Sequence, residues 1–190
     1  LNFNVVAFYA TIARDMVTNE RQAKIDQVAQ QKLTDVRVIL EDIHDPHNAA
    51  AILRTVDGLG IGSVWYLFDH EEPYDPRQVG KLSSSTANRW VDIETFTDRD
   101  VVEGRLQADG FSSIATALHE SESEPLWEAE LATGKLALWV GNEHRGLSEA
   151  AKVFCDRTLI IPMRGFVESL NVSVATAIIL AEIARQRRVT

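Results

Sequence analysis

The chain switches repeatedly between two hydrophobic rhythms, and this alternation limits its fold more than any other feature. Short apolar or β-branched runs occur at Val36–Leu40, Val64–Phe68, Trp90–Ile93, Ser113–Ala117, Leu136–Val140 and Thr158–Ile161. They are continuous rather than alternating, as expected of strands covered on both faces. Between them lie segments of helical spacing: His47–Leu59, Ser148–Phe154, Leu170–Arg187, and one opening on Thr97 with Asp100 as a capping box and running to Ala108. Strand–helix–strand order predicts an α/β fold, a mainly parallel sheet with helices on both faces. Residues 2–31 also read as helix, apolar at Val5, Val6, Phe8, Tyr9, Ile12 and Met16 and polar from Thr18 to Lys32. The predicted organisation is a helical extension over residues 1–33 and one α/β domain over 34–190 with a C-terminal helix.

Charge and cysteine usage narrow the function. A net charge of −9 over 190 residues argues against a protein that coats nucleic acid without specificity. Cys155 is the single cysteine, so neither an internal disulfide nor a thiolate zinc cluster can form. The longest apolar stretch, Leu170–Ala184, is about fifteen residues against the roughly 20 that span a bilayer. No basic segment followed by an apolar run and a cleavage site opens the sequence. The expectation is a cytoplasmic protein without a membrane partner.

Three segments at predicted strand ends are rich in polar residues, Gly or Pro: Glu41–Arg54, Gly141–Gly146 and Pro162–Asn171. In parallel sheets, ligands bind outside the carboxyl ends of the strands. Gly58, Gly60 and Gly62 imitate a dinucleotide loop but follow a helix and open a strand, so they read as a helix stop and turn. Gly141–Ser148 has the context of a phosphate loop, but Leu147 stands where the phosphate-binding lysine belongs, which removes a nucleotide hydrolase. Asn142 and Glu143 nevertheless mark a functional loop. His44 and His47 flank Pro46 with no third ligand nearby, so no metal is expected. Ser169 lacks a nucleophile-elbow sequence, so a hydrolase triad is not supported. Ser83–Ser85 reads as a polar loop. Two groups of cations stand out: Arg14, Arg21 and Lys24 near the start, and Arg185, Arg187 and Arg188 at the end. They complement a helix dipole or form a phosphate-contacting edge.

Together, three motifs resemble the SpoU (TrmH) branch of the SPOUT methyltransferases. The first is Glu41-Asp-Ile-His-Asp-Pro-His-Asn48 with Ile52-Leu-Arg54-Thr55. The second is Val140-Gly-Asn-Glu143-His-Arg-Gly146-Leu-Ser148. The third joins Ile160-Ile-Pro162-Met163 to Glu168-Ser-Leu-Asn171-Val-Ser173-Val-Ala175. They stand in family order over residues 34–188, and the His-x-Pro-His-Asn form of the first looks most like the tRNA guanosine ribose 2′-O-methyltransferases. The resemblance implies a C-terminal trefoil knot, a homodimer, and S-adenosylmethionine bound in the knot. It implies cofactor contacts at Thr116, Gly141, Ile161, Met163 and Leu170. The implied catalytic set is Arg54, Asn48, Glu143, Ser169 and Asn171, with Arg54 supplied across the dimer.

The implied chemistry is methylation of a ribose 2′-hydroxyl in RNA, at guanosine 18 of the tRNA D-loop. A 23S rRNA substrate is the alternative, and a non-catalytic RNA-binding or assembly protein is the alternative of another class. The reaction is an in-line displacement, and the hydroxyl is a poor nucleophile until its proton leaves. A guanidinium stays protonated in proteins, so Arg54 reads as a phosphate ligand and stabiliser of the developing alkoxide. Glu143, ionised at its reference pKa of about 4.3, either orients Arg54 or accepts a proton if its pKa rises. One departure is Thr86, which stands where the family loop before Trp90 carries glycine. The two cation groups are expected to form the RNA-contacting edge.

Overall fold

A computed structural model describes residues 18–76, 90–117 and 123–187. The first predicted half-helix, Arg14, Arg188 and the loop from Lys81 to Arg89 with Ser83–Ser85 and Thr86 lie outside them. The chain divides at Leu33/Thr34 into two units. In the first, helix α1 (Asn19–Gln30) starts on Thr18, whose hydroxyl accepts from the Arg21 amide. Arg21 and Lys24 are exposed on it.

The second unit is built on a sheet of seven strands. In chain order these are β1 (Leu33–Glu41), α2 (Pro46–Gly58), β2 (Ile61–Leu67), β3 (Asp92–Phe96), α3 (Arg99–Asp109), β4 (Phe111–Ala117), β5 (Glu124–Pro125), β6 (Lys135–Val140), α4 (Glu149–Phe154), β7 (Arg157–Ile160) and α5 (Val172–Arg187). The spatial order is β3-β2-β1-β6-β4-β7-β5. β1/β6, β2/β3, β4/β6, β4/β7 and β5/β7 pair in parallel. The continuous apolar runs are the central strands: Val38, Ile39, Leu138, Trp139, Ile114 and Ala115 are fully buried. On one face, Trp65, Leu67, Val102, Leu106 and Ala151 join Ile39 and Trp139 in a single core cluster.

Local chemistry explains where the elements start and stop. Asp45 caps α2 by accepting from the His47 amide, and Pro46 occupies the first turn, where a missing N–H does no harm. The helix stops at Gly58, and Gly60 takes φ +77°, so the glycine triplet is the expected stop and turn. Helix α3 is capped by Asp98, which accepts from the Asp100 and Val101 amides, rather than by Thr97. β3 begins two residues later than Trp90 because Ser63 of β2 sets its register at Asp92.

Among the described residues, no helix is long and apolar enough to cross a membrane.

Candidate active site

The polar segments singled out in the sequence meet at the carboxyl ends of β1, β4, β6 and β7. A cavity of about 390 Å³ lies between the strand ends and the start of α5. Its floor is Thr116, Val140, Gly141, Leu159 and Ile160; its outer side is Ile161, Met163 and Glu168 to Val172. The five residues named for cofactor contact, Thr116, Gly141, Ile161, Met163 and Leu170, all line it, as do Glu143, Ser169 and Asn171.

The 141–146 loop is held shut on itself. The Asn142 amide donates to the Gly146 carbonyl at 3.1 Å, and the Gly146 amide donates back at 2.9 Å. The Asn142 side chain accepts from the amides of His144 and Arg145 and donates to the Asp42 carbonyl at 2.7 Å. Gly146 closes the turn at φ +68°. A Cβ at Gly141 would stand 2.2 Å from both the Gly146 carbonyl carbon and the Leu147 nitrogen, so only glycine lets the two backbone segments pass.

This loop presents Glu143 to the amino end of α2. The carboxylate accepts from the backbone amides of His44 (3.0 Å) and Asp45 (3.2 Å) and from Asn48 Nδ2 (2.8 Å). Burial pushes its carboxyl up. The hydrogen bonds from Asn48, its own amide, His44 and Asp45 outweigh burial and hold it below the ordinary carboxylate range. An ionised carboxylate only accepts, which fixes the direction of the next bonds. Asn48 must turn its NH₂ to Glu143, leaving its oxygen to accept from Asn171 Nδ2 at 3.0 Å. Asn171 Oδ1 in turn accepts from the Ser173 amide and hydroxyl at 2.8 and 2.6 Å. One relay, Ser173–Asn171–Asn48–Glu143, thus joins all three motifs.

Arg54 is not part of this assembly within one chain. Six residues on a helix turn about 600°, roughly a third of a turn short of two, and advance about 9 Å. Arg54 therefore lies on a different face of α2 from Asn48, exposed and outside the cavity lining. Within the chain Glu143 is engaged with Asn48 and the motif-1 amides, and its pKa is lowered, which goes against the alternative in which it accepts a proton.

The structure corrects the reading of Arg187. Its side chain is only 3% exposed and pairs with Asp35. Nε donates to the Leu131 carbonyl, and Nη2 donates to the carbonyls of Thr133 and Gly134. A guanidinium ringed by protein carbonyls cannot reach an RNA backbone. Arg185 remains 65% exposed while bonded to Glu182 at 2.7 Å.

Asp42 was missed in the sequence. It adopts φ +52°, which Asp tolerates better than most residues, and one carboxylate oxygen accepts from three successive amides, Asp69, His70 and Glu71, at 2.8, 3.0 and 3.1 Å. It pins the strand-end loops that flank Glu143. Aspartate at a strand end was the only signal available.

A model of the SpoU rRNA methylase family matches residues 35–181. A tRNA (guanosine(18)-2′-O)-methyltransferase of Thermus thermophilus is 36% identical over 170 residues, 90% of this chain and 84% of that protein. The crystal structure of the Aquifex aeolicus TrmH/SpoU tRNA-modifying enzyme superposes with a TM-score of 0.79 at 31% identity, covering 89% of this chain and 83% of that one. AviRb of Streptomyces viridochromogenes, a SpoU methyltransferase solved with AdoMet, superposes with a TM-score of 0.69 at 29% identity, covering 84% of this chain and 62% of that one.

Proposed function

The chain belongs to the SpoU methylase family, and from that premise we propose that it methylates the ribose 2′-hydroxyl of a tRNA guanosine in the D-loop with S-adenosylmethionine. The observation that carries this reading is the Glu143–Asn48–Asn171 relay at the edge of the cavity.

The cavity residues fit the cofactor on their own chemistry. Among the described residues its lining includes Glu143 and Glu168 and neither Lys nor Arg. Such a wall suits a cationic sulfonium and ammonium and repels a polyphosphate. Leu159, Ile161, Leu170 and Ala175 offer apolar surface for a flat base. When bound, S-adenosylmethionine supplies an electrophilic methyl group on positively charged sulfur. The chain's residues have three tasks: to hold the ribose, to receive the hydroxyl proton, and to steady the charge that grows on the oxygen. Ionised Glu143 fixes Asn48 and Asn171, so their amides are pre-oriented at the cavity edge and need not reorganise during transfer. Its depressed pKa makes it a poor general base and a good positioning residue.

The reading includes a homodimer. Arg54 is exposed and outside the lining of its own cavity, which supports its delivery to the partner's site, where it would bind the adjacent phosphate and the developing alkoxide. It also includes threading of the C-terminal segment as a trefoil knot. The sheet order supports this: β6 and β7 flank β4, and the chain after β7 then runs back past the β6 loop so that Asn171 meets Asn48.

The test is transfer of a radiolabelled methyl group from S-adenosylmethionine to unmodified tRNA and rRNA transcripts, with nuclease mapping of the product. Labelled 2′-O-methylguanosine in the D-loop, lost in Arg54→Ala, is the expected result. Label on rRNA alone moves the substrate to the ribosome. Cofactor binding without transfer to either overturns the enzymatic reading.

A further inference from the structure

Just outside the active-site loop, one carboxylate is gripped by two basic side chains. Glu71 Oε2 lies 2.9 Å from His44 Nδ1, and Glu71 Oε1 lies 3.1 Å from Arg145 Nη2. Arg145 also stands 3.5 Å from Asp42 Oδ2, and the His144 ring lies 6.5 Å from that of His44. The notch opens to solvent, with the His44 and Arg145 side chains 64% and 49% exposed. It shares its backbone with the reacting centre. The His44 amide bonds Glu143, and Arg145 follows Glu143 by two residues.

Resting on the RNA-methylating reading above, we propose that His44 and Arg145 form a binding notch for a backbone phosphate of the RNA substrate, which the Glu71 carboxylate occupies until substrate displaces it. A carboxylate and a phosphodiester both offer two charged oxygens from one centre, so the same pair of donors serves either. The occupant is easily displaced, because exposed ion pairs are weak and screened. The Glu71 backbone need not move, since its amide is held by Asp42 at 3.1 Å and only the side chain swings out. In the resting notch the hydrogen bond and charge of Glu71 lift His44 above the ordinary histidine range, and a phosphate seated in its place supplies the same kind of anionic neighbour. In a chain of net charge −9, such a notch confines attraction for RNA to the site and lets a built-in anion compete with non-specific binding.

The experiment measures tRNA affinity and KM for tRNA as a function of salt in the full chain. Glu71→Gln keeps the size and the loop amide and removes the competing charge; it is expected to tighten binding about two- to five-fold. Arg145→Gln is expected to weaken binding, lower the slope of log affinity against log salt by about one, and abolish the gain from Glu71→Gln in the double variant. Glu128→Gln, an exposed carboxylate beside β5, makes the same change in net charge and is expected to give no gain. Unchanged or weaker binding in Glu71→Gln, or an equal gain in Glu128→Gln, overturns the notch while wild-type transfer to tRNA still stands. Failure of the wild type to methylate any RNA overturns the functional reading and the notch with it.

Discussion

The two sides of the cavity are built in opposite ways. On the β1/β6 side, Gly141 to Gly146 and Asp42 to Asn48 hold one another through backbone and side-chain hydrogen bonds, and Asn142 is only 6% exposed. On the other side, residues 162–169 are exposed throughout, Phe166 completely so, and the segment meets the first side where Asn171 bonds Asn48. One side is finished in the single chain; the other waits for something to lie against it. A methyl-transferring site must admit two substrates and hold both at once. On the proposed reading, a rigid side would steady charge and an uncovered side would admit the substrates.

Substitutions can break or sharpen this contrast. Gly141→Ala strikes the finished side hardest, because the new methyl overlaps backbone on both neighbouring atoms. It should cost about 4 kcal/mol or more, seen as a fall in the denaturation midpoint together with loss of cofactor binding by calorimetry. Arg187→Ala lies outside both sides. It should cost about 2–4 kcal/mol by orphaning Asp35 and three carbonyls, while the salt dependence of RNA binding stays unchanged. Asn48→Ala cuts the link between the two sides and should lower kcat about 100-fold, with cofactor affinity held within about two-fold. The charge on Glu143 gives a pH test. Its folded pKa is lowered, so its contribution to stability is full above the ordinary value of about 4.3 and is lost as pH falls through the lower folded value. Unfolding curves of wild type and Glu143→Gln should therefore converge on acidification. Phe166→Ser should shift the stability of the fold by less than about 0.5 kcal/mol; a larger loss would show that the open side is packed after all.

Strands were legible where burial forces unbroken apolar sequence, as at Leu136–Val140. β5, two residues with a proline at the sheet edge, was not, and β3 was legible only in part because its limits are set by its register on β2. Asn48, Glu143 and Asn171 could be named from motif order, but their direct bonding spans 95 and 123 residues and is set by the fold. Arg187 misled because a charge in a last helical turn normally faces water. Ile179 and Ile183 carried the missed signal: with Arg187 they recur every four residues, and both isoleucines are buried. Glu71 and Arg145 stood unremarked, since a pair 74 residues apart leaves no local pattern.

The long reach of these bonds has a consequence for biosynthesis. Asp35 pairs with Arg187, 152 positions later. At about 5–20 residues per second, roughly 8 to 30 s separate the synthesis of the two. For most of that interval the central strand β1 waits for β6 on its flank, and Asn48 waits for Asn171. The relay is therefore completed late: a chain that ends before Asn171 lacks the group that Asn48 meets.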